Sequence, residues 1–100
     1  MQEFEVEGIT PDRFLTKVRR FLKKGPLGNI ISGRIENNTI IIEFSQLGKS
    51  QLFYRYDLTE NGFRGNKIKE KIAFSHSMLR NQVESELVQV FKRLGVKILK

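Results

Sequence analysis

Apolar positions recur with two different periods along this chain, and the changes of period predict its elements. From Ser75 to Leu94, the residues Leu79, Val83, Leu87, Val90, Phe91 and Leu94 return at steps of three and four. At about 3.6 residues per turn they form one stripe of a long helix. Ser75 or Ser77 can accept from its first free N–H groups, and Gly95 can take the left-handed conformation that ends it. A second helix is predicted from Thr10 to Lys24. Thr10 suits the N-cap, Pro11 the first helical position and Asp12 the positive end of the dipole. Phe14, Leu15, Val18, Phe21 and Leu22 fill one arc of it, and Gly25 and Pro26 stop it.

The other segments alternate. Phe4 and Val6 between Glu3, Glu5 and Glu7 read as a half-buried strand. Ile30 to Glu36 and Thr39 to Ser45 flank Asn37-Asn38, a pair that tolerates the positive φ of a tight hairpin. Leu47-Gly48-Lys49 turns the chain into Ser50 to Leu58, and Glu60-Asn61-Gly62 turns it into Phe63 to Phe74. Gly65-Asn66 predicts a bulge in that segment, and Val96 to Leu99 a last short strand. The fold class is α+β with the order β-α-β-β-β-β-α. A curved antiparallel sheet carries both helices on one face, in a single domain over residues 1–100.

Alternation assigns the faces. Ile31, Ile35, Ile40, Ile42, Phe44, Leu52, Tyr54, Tyr56, Leu58, Ile68, Ile72 and Phe74 are expected inward. Arg34, Glu36, Glu43, Arg55, Asp57, Lys67, Lys69 and Lys71 are expected in solvent. Laying Glu3, Glu5 and Glu7 antiparallel beside Lys67, Lys69 and Lys71 gives a ladder of opposite charges, each pair worth about 0.2–1 kcal/mol. The first strand is therefore expected beside the last strand of the meander.

This succession of a strand, a helix, an antiparallel sheet and a long C-terminal helix resembles the small helix-grip proteins of the START and polyketide-cyclase type, over nearly the whole chain. The resemblance implies a cavity between the sheet and the last helix for an apolar small molecule or lipid. A cystatin-like sheet wrapped on the first helix is the competing architecture.

Composition narrows the chemistry. The chain of 100 residues has no cysteine and a single histidine, His76. Disulfides and thiolate metal sites are thus excluded, and a histidine-based metal site or dyad is disfavoured. No cofactor is expected. The acidic, alternating start is unlike a signal peptide, and no apolar run is long enough for a membrane span, so a cytoplasmic protein is expected. Eighteen Lys and Arg against eleven Asp and Glu give a net charge of +7, which favours anionic partners.

Six of those cations and one carboxylate lie between Thr10 and Lys24. Arg13, Lys17, Arg20 and Lys24 line one flank of the predicted helix as a ridge of about 16 Å, and Arg19 and Lys23 widen it. Such a ridge can follow phosphates by counterion release without reading sequence; the bland alternative is a solvated face that complements the helix dipole. A second constellation, Tyr54, Tyr56, Glu70, Ile72, His76 and Leu87, would line a pocket beneath the last helix, with polar groups orienting a ligand between apolar walls; the favoured alternative is that a bulge near Gly65 turns Glu70 outward and the tyrosines reach water at the sheet rim.

Phe53 and Arg55 are expected to share the outer face, a weak likeness to a stacking platform. Gly48-Lys49-Ser50 lacks the earlier glycine of a phosphate-binding loop, since Glu43 stands there. Asn37-Asn38-Thr39 reads as a turn rather than a glycosylation site. With no nucleophile-base arrangement evident, the expected function is a non-enzymatic binding module whose first helix meets an anionic partner such as nucleic acid. The alternatives are an apolar-ligand carrier and a subunit that docks on another protein through an exposed apolar patch.

Overall fold

The computed structural model describes residues 1–100. The acidic, alternating start forms β1 (Glu3–Glu7), followed by α1 (Pro11–Lys24), β2 (Ile31–Glu36), β3 (Thr39–Ser45), β4 (Lys49–Leu58) and β5 (Gly62–Lys71). One 3-10 turn, Phe74–His76, leads into α2 (Ser77–Arg93), and β6 (Lys97–Ile98) ends the chain. The strands make one open antiparallel sheet in the order β2-β3-β4-β5-β1-β6. The fold is α+β, as the pattern predicts, with the short sixth strand on the free edge of β1. Asn37 and Asn38 take φ of 47° and 58° in the β2–β3 hairpin, and Gly95 takes 82° after α2.

Both helices cover the same face of the sheet. Phe14, Leu15, Val18 and Leu22 from α1 and Val83, Leu87, Val90 and Phe91 from α2 join Phe4, Ile40, Ile42, Phe44, Leu52, Tyr54 and Phe63 in one core. Four phenylalanines bind the layers together: Phe91 lies 5.0 Å from Phe4 and 5.1 Å from Phe14, and Phe14 lies 5.5 Å from Phe63 between ring centroids. These edge-to-face pairs place both helices against the adjacent strands β1 and β5.

The face assignment fails along β5, and the reason is a one-residue slip. Phe53 pairs with Lys69 but Tyr54 pairs with Lys67, so Ile68 is the extra residue of a bulge. The bulge is thus at Ile68 and not at Gly65-Asn66. Phe63 and Gly65 set the inward phase ahead of it, which turns Lys67 into the protein and leaves its side chain only 3% exposed. Ile68, Ile72, Phe74 and Leu58, expected inward, are exposed instead. β5 also ends earlier than the pattern predicts, because Ser50 Oγ accepts the Ala73 N–H and draws the backbone out of the ladder.

The first strand does lie beside β5, but with Glu3 opposite Asn66, Glu5 opposite Arg64 and Glu7 opposite Gly62. One ion pair, Glu5 to Arg64 at 2.7 Å, replaces the expected ladder of three. The helix cap also differs: α2 starts with no side-chain cap, and neither Ser75 nor Ser77 supplies one. On the open face of the sheet, Ile41 and Phe53 are nonetheless buried. Lys69 and Lys71 fold across the Phe53 ring, at 4.6 and 5.7 Å from its centre, so Phe53 offers no free stacking surface with Arg55.

Candidate anion-binding groove

The Thr10 side chain accepts the Arg13 N–H at 3.3 Å and Pro11 opens the helix, so α1 begins where its sequence dictates. Burial of Phe14, Leu15, Val18 and Leu22 then fixes the rotation of α1. All six of its cations face solvent. Arg13, Lys17 and Arg20, with Thr16, form one wall of an open groove of about 810 Å³. Gly8, Ile9 and Thr10 make its floor at the β1–α1 corner, and Leu58, Thr59, Asn61 and Gly62 of the β4–β5 turn make the other wall. These lining residues include three cations and no carboxylate.

Ion pairs elsewhere in the protein join Met1, Lys67, Arg80, Arg34 and Arg64 to glutamates, and none of them engages a cation of α1. The charge on this helix is therefore uncompensated by direct partners. Lys24 lies outside the groove. It borders a second open cavity, of about 690 Å³, with Phe21, Pro26, Glu86 and Arg93 at the far end of α1. Arg93 there stacks over Phe21 at 5.8 Å and shares that cavity with Lys24 and Glu86. Arg19 is on the opposite flank, where its Nε donates to the Gly33 carbonyl at 2.8 Å, and Lys23 projects into solvent beyond it. The structure thus brings together Arg13, Lys17 and Arg20, extends that row to Lys24, and separates Arg19 and Lys23 from it.

The six residues expected around a pocket are dispersed. Tyr54 and Leu87 are closed into the core, where Phe4 packs against Tyr54 at 5.7 Å and against Phe91. Tyr56 is half-buried against Phe63, and Ile72 is exposed. Neither cavity described above is lined by any of the six. His76 is fully enclosed, stacked on Phe44; its Nε2–H donates to the Gln46 carbonyl at 2.6 Å and its Nδ1 accepts from Ser50 Oγ at 2.7 Å.

Glu70 belongs instead to a network that the sequence conceals. Lys67 Nζ donates to Glu70 at 2.7 Å and to Glu84 of α2, while Arg80 grips Glu70 through two nitrogens at 2.9 and 2.5 Å. The Met1 amine meets the other Glu84 oxygen at 2.8 Å, and the Tyr54 hydroxyl is 3.4 Å from Glu84. The Arg80 guanidinium, joined by Lys67, brings Glu70 down to about 2 against a smaller effect of burial. Burial alone would raise the Glu84 carboxyl, but hydrogen bonds from Lys67 and the amine leave it below the usual carboxylate range. Burial, and then the charge of Glu84, push the Tyr54 hydroxyl up. Every displaced group here is paired, and the network pins α2 to β5.

No group of histidines and carboxylates in the protein is placed to hold a metal ion, and no helix is long and apolar enough to cross a membrane. Compared with protein-family models, curated proteins and solved structures, the chain matches none.

Proposed function

We propose that this chain is a non-enzymatic binding module whose first helix takes a polyanion, most simply nucleic acid, along the groove beside it. The observation that carries this reading is the groove wall itself: Arg13, Lys17 and Arg20 side by side, none in an ion pair, and no carboxylate among the lining residues. A cation held without a partner keeps its full attraction for a phosphate, since no internal bond has to break first. The row continues to Lys24, beside a second cavity that holds Arg93 and one carboxylate, Glu86, so an extended chain of phosphates suits it better than one small anion. The contacts go to the backbone and carry little sequence information. This reading puts the protein in the cytoplasm. The test is titration of single-stranded and duplex oligonucleotides across a range of salt. Binding that weakens steeply with salt, and that is lost on Arg13→Glu/Lys17→Glu, supports it. Binding indifferent to both changes overturns it.

A further inference from the structure

Leu47 and Phe74 are completely exposed, at 97% and 105%, and Met78 nearly so at 78%. They come from the β3–β4 turn and from the 3-10 turn and first residues of α2, and the side chains of Ser50 and His76 tie these segments together. Ser50 Oγ accepts the Ala73 N–H at 2.8 Å and donates to His76 Nδ1, and His76 Nε2–H closes the circuit on the Gln46 carbonyl. Gly48 packs so closely that a Cβ there would meet the Ala73 Cβ at 3.3 Å. With Ser50 and His76 themselves buried, the apolar side chains stand on a braced support and not on loose loops. Residues 45–50 and 71–81, which make this tip, contain Lys49 and Lys71 and no carboxylate, and Arg80 among them is bound to Glu70. Lys49 and Lys71 are exposed and free of ion pairs, Lys71 resting its ammonium 5.7 Å from the Phe53 ring.

Large apolar side chains exposed together on one braced tip mark a surface that meets a partner. A second copy of this chain fits badly, because a tip-to-tip contact would set Lys49 and Lys71 against their own like. A partner helix needs a groove to lie in, and neither cavity is lined by Leu47, Phe74 or Met78. A bilayer needs only protruding apolar groups with cations at headgroup height. We propose that this tip inserts Leu47, Phe74 and Met78 into the interface of an anionic bilayer, with Lys49 and Lys71 among the headgroups. The site is separate from the α1 groove and does not depend on it.

The chain contains no tryptophan, so Phe74→Trp supplies a single reporter at a position that touches nothing. Vesicles of phosphatidylcholine alone and of phosphatidylcholine with phosphatidylserine are added to this variant. The expected result is a blue shift of the indole emission on the anionic vesicles, retained when Arg13→Glu/Lys17→Glu/Arg20→Glu is added. Leu47→Ser/Met78→Ser, at exposed positions that leave the circular dichroism unchanged, is expected to weaken co-sedimentation by about tenfold or more. Three results overturn the proposal. The F74W emission stays water-like although the protein sediments with vesicles, which means adsorption through α1 alone. No association with vesicles occurs at all, which leaves the tip to a protein partner. The shift grows with protein concentration without vesicles, which makes a second copy the occupant.

Discussion

The ammonium of Lys67 lies 5.5 Å over the ring of Tyr54, its neighbour across the β4–β5 ladder, and reaches past that ring to Glu84 of α2. A lysine on a strand that reads as surface is thus the cation on which the long helix closes. Removing it leaves Glu84, with 11% of its side chain exposed, short of a partner. We expect Lys67→Met to cost about 3 kcal/mol of stability, as loss of one member of a buried pair does. The double variant Lys67→Met/Glu84→Leu is expected to recover part of that loss. Urea denaturation of the two single variants and the double closes the cycle; equal and additive losses would mean that the pair is not coupled.

Acid is expected to loosen that contact and, separately, the pairing of Glu43 with Gln51 and Arg34. Glu43, Glu70 and Glu84 all lie below the ordinary carboxylate range in the folded protein, Glu43 through the Gln51 amide and then Arg34. The unfolded chain therefore binds more protons than the folded one as the pH falls below 4.5, the ordinary value, and toward about 2 for Glu70. Stability rises with pH across that window, is complete above it, and is lost on acidification. Glu70→Gln should be less stable than the parent at neutral pH yet show a shallower fall between those limits, as followed by denaturation at successive pH values.

Gly65 is a packing prediction of a different kind. A Cβ there would lie 2.3 Å from Phe4 Cζ. That ring is fully buried among Phe14, Tyr54, Phe63 and Phe91 and has nowhere to go. Gly65→Ala is expected to cost about 1–3 kcal/mol by overpacking and to lower Tm by about 10 °C. Gly8→Ala is the comparison: a Cβ there meets nothing within 4 Å, and only its φ of +78° resists the change. Its loss should be the smaller of the two in a thermal melt.

For the groove, the salt dependence carries the magnitude. Each phosphate neutralised contributes about −0.9 to the slope of log K against log salt on duplex and about −0.7 on a single strand. Three contacts from Arg13, Lys17 and Arg20 predict a slope of about −2 to −3. Alanine at any one of them should make the slope shallower by about one contact. Arg19→Ala should leave it unchanged, because that guanidinium is bound to the Gly33 carbonyl on the other flank.

The two helices, the Asn37-Asn38 hairpin and the β2–β5 meander are legible in the pattern, since each depends on local turn chemistry or on a long stripe. So is the row along α1, because burial of Phe14, Val18 and Leu22 leaves no other rotation. β1 does lie beside β5, but the ladder of charges that predicts this does not form. What the pattern conceals follows from β5. Ile68, Ile72 and Phe74 share one parity and suggest an inward face, whereas Phe63 and Gly65, with the opposite parity, are the residues that meet the core. A glycine under a phenylalanine ring has no hydrophobic signature of its own. Once the phase is misread, Lys67 looks like surface and its network with Glu70, Arg80 and Glu84 is invisible, because buried ions and solvated ions are spelled alike. The expected ladder of glutamates on lysines does not form, because Gly62 sits opposite Glu7 and the register sets Arg64 and Asn66, not the lysines, beside Glu5 and Glu3. Ser50 and His76 lie far apart in sequence, and only the fold makes them a brace.

The bond from Arg19 to Gly33 reaches beyond the helix that makes it. β2 is the longer of the two rims at which this sheet ends, and a bare rim invites another chain to zip on, strand after strand, into insoluble assemblies. By occupying a carbonyl of that rim, the guanidinium removes one of the acceptors such growth would need, so the helix that carries a row of unpaired cations on one flank caps part of the sheet edge on the other.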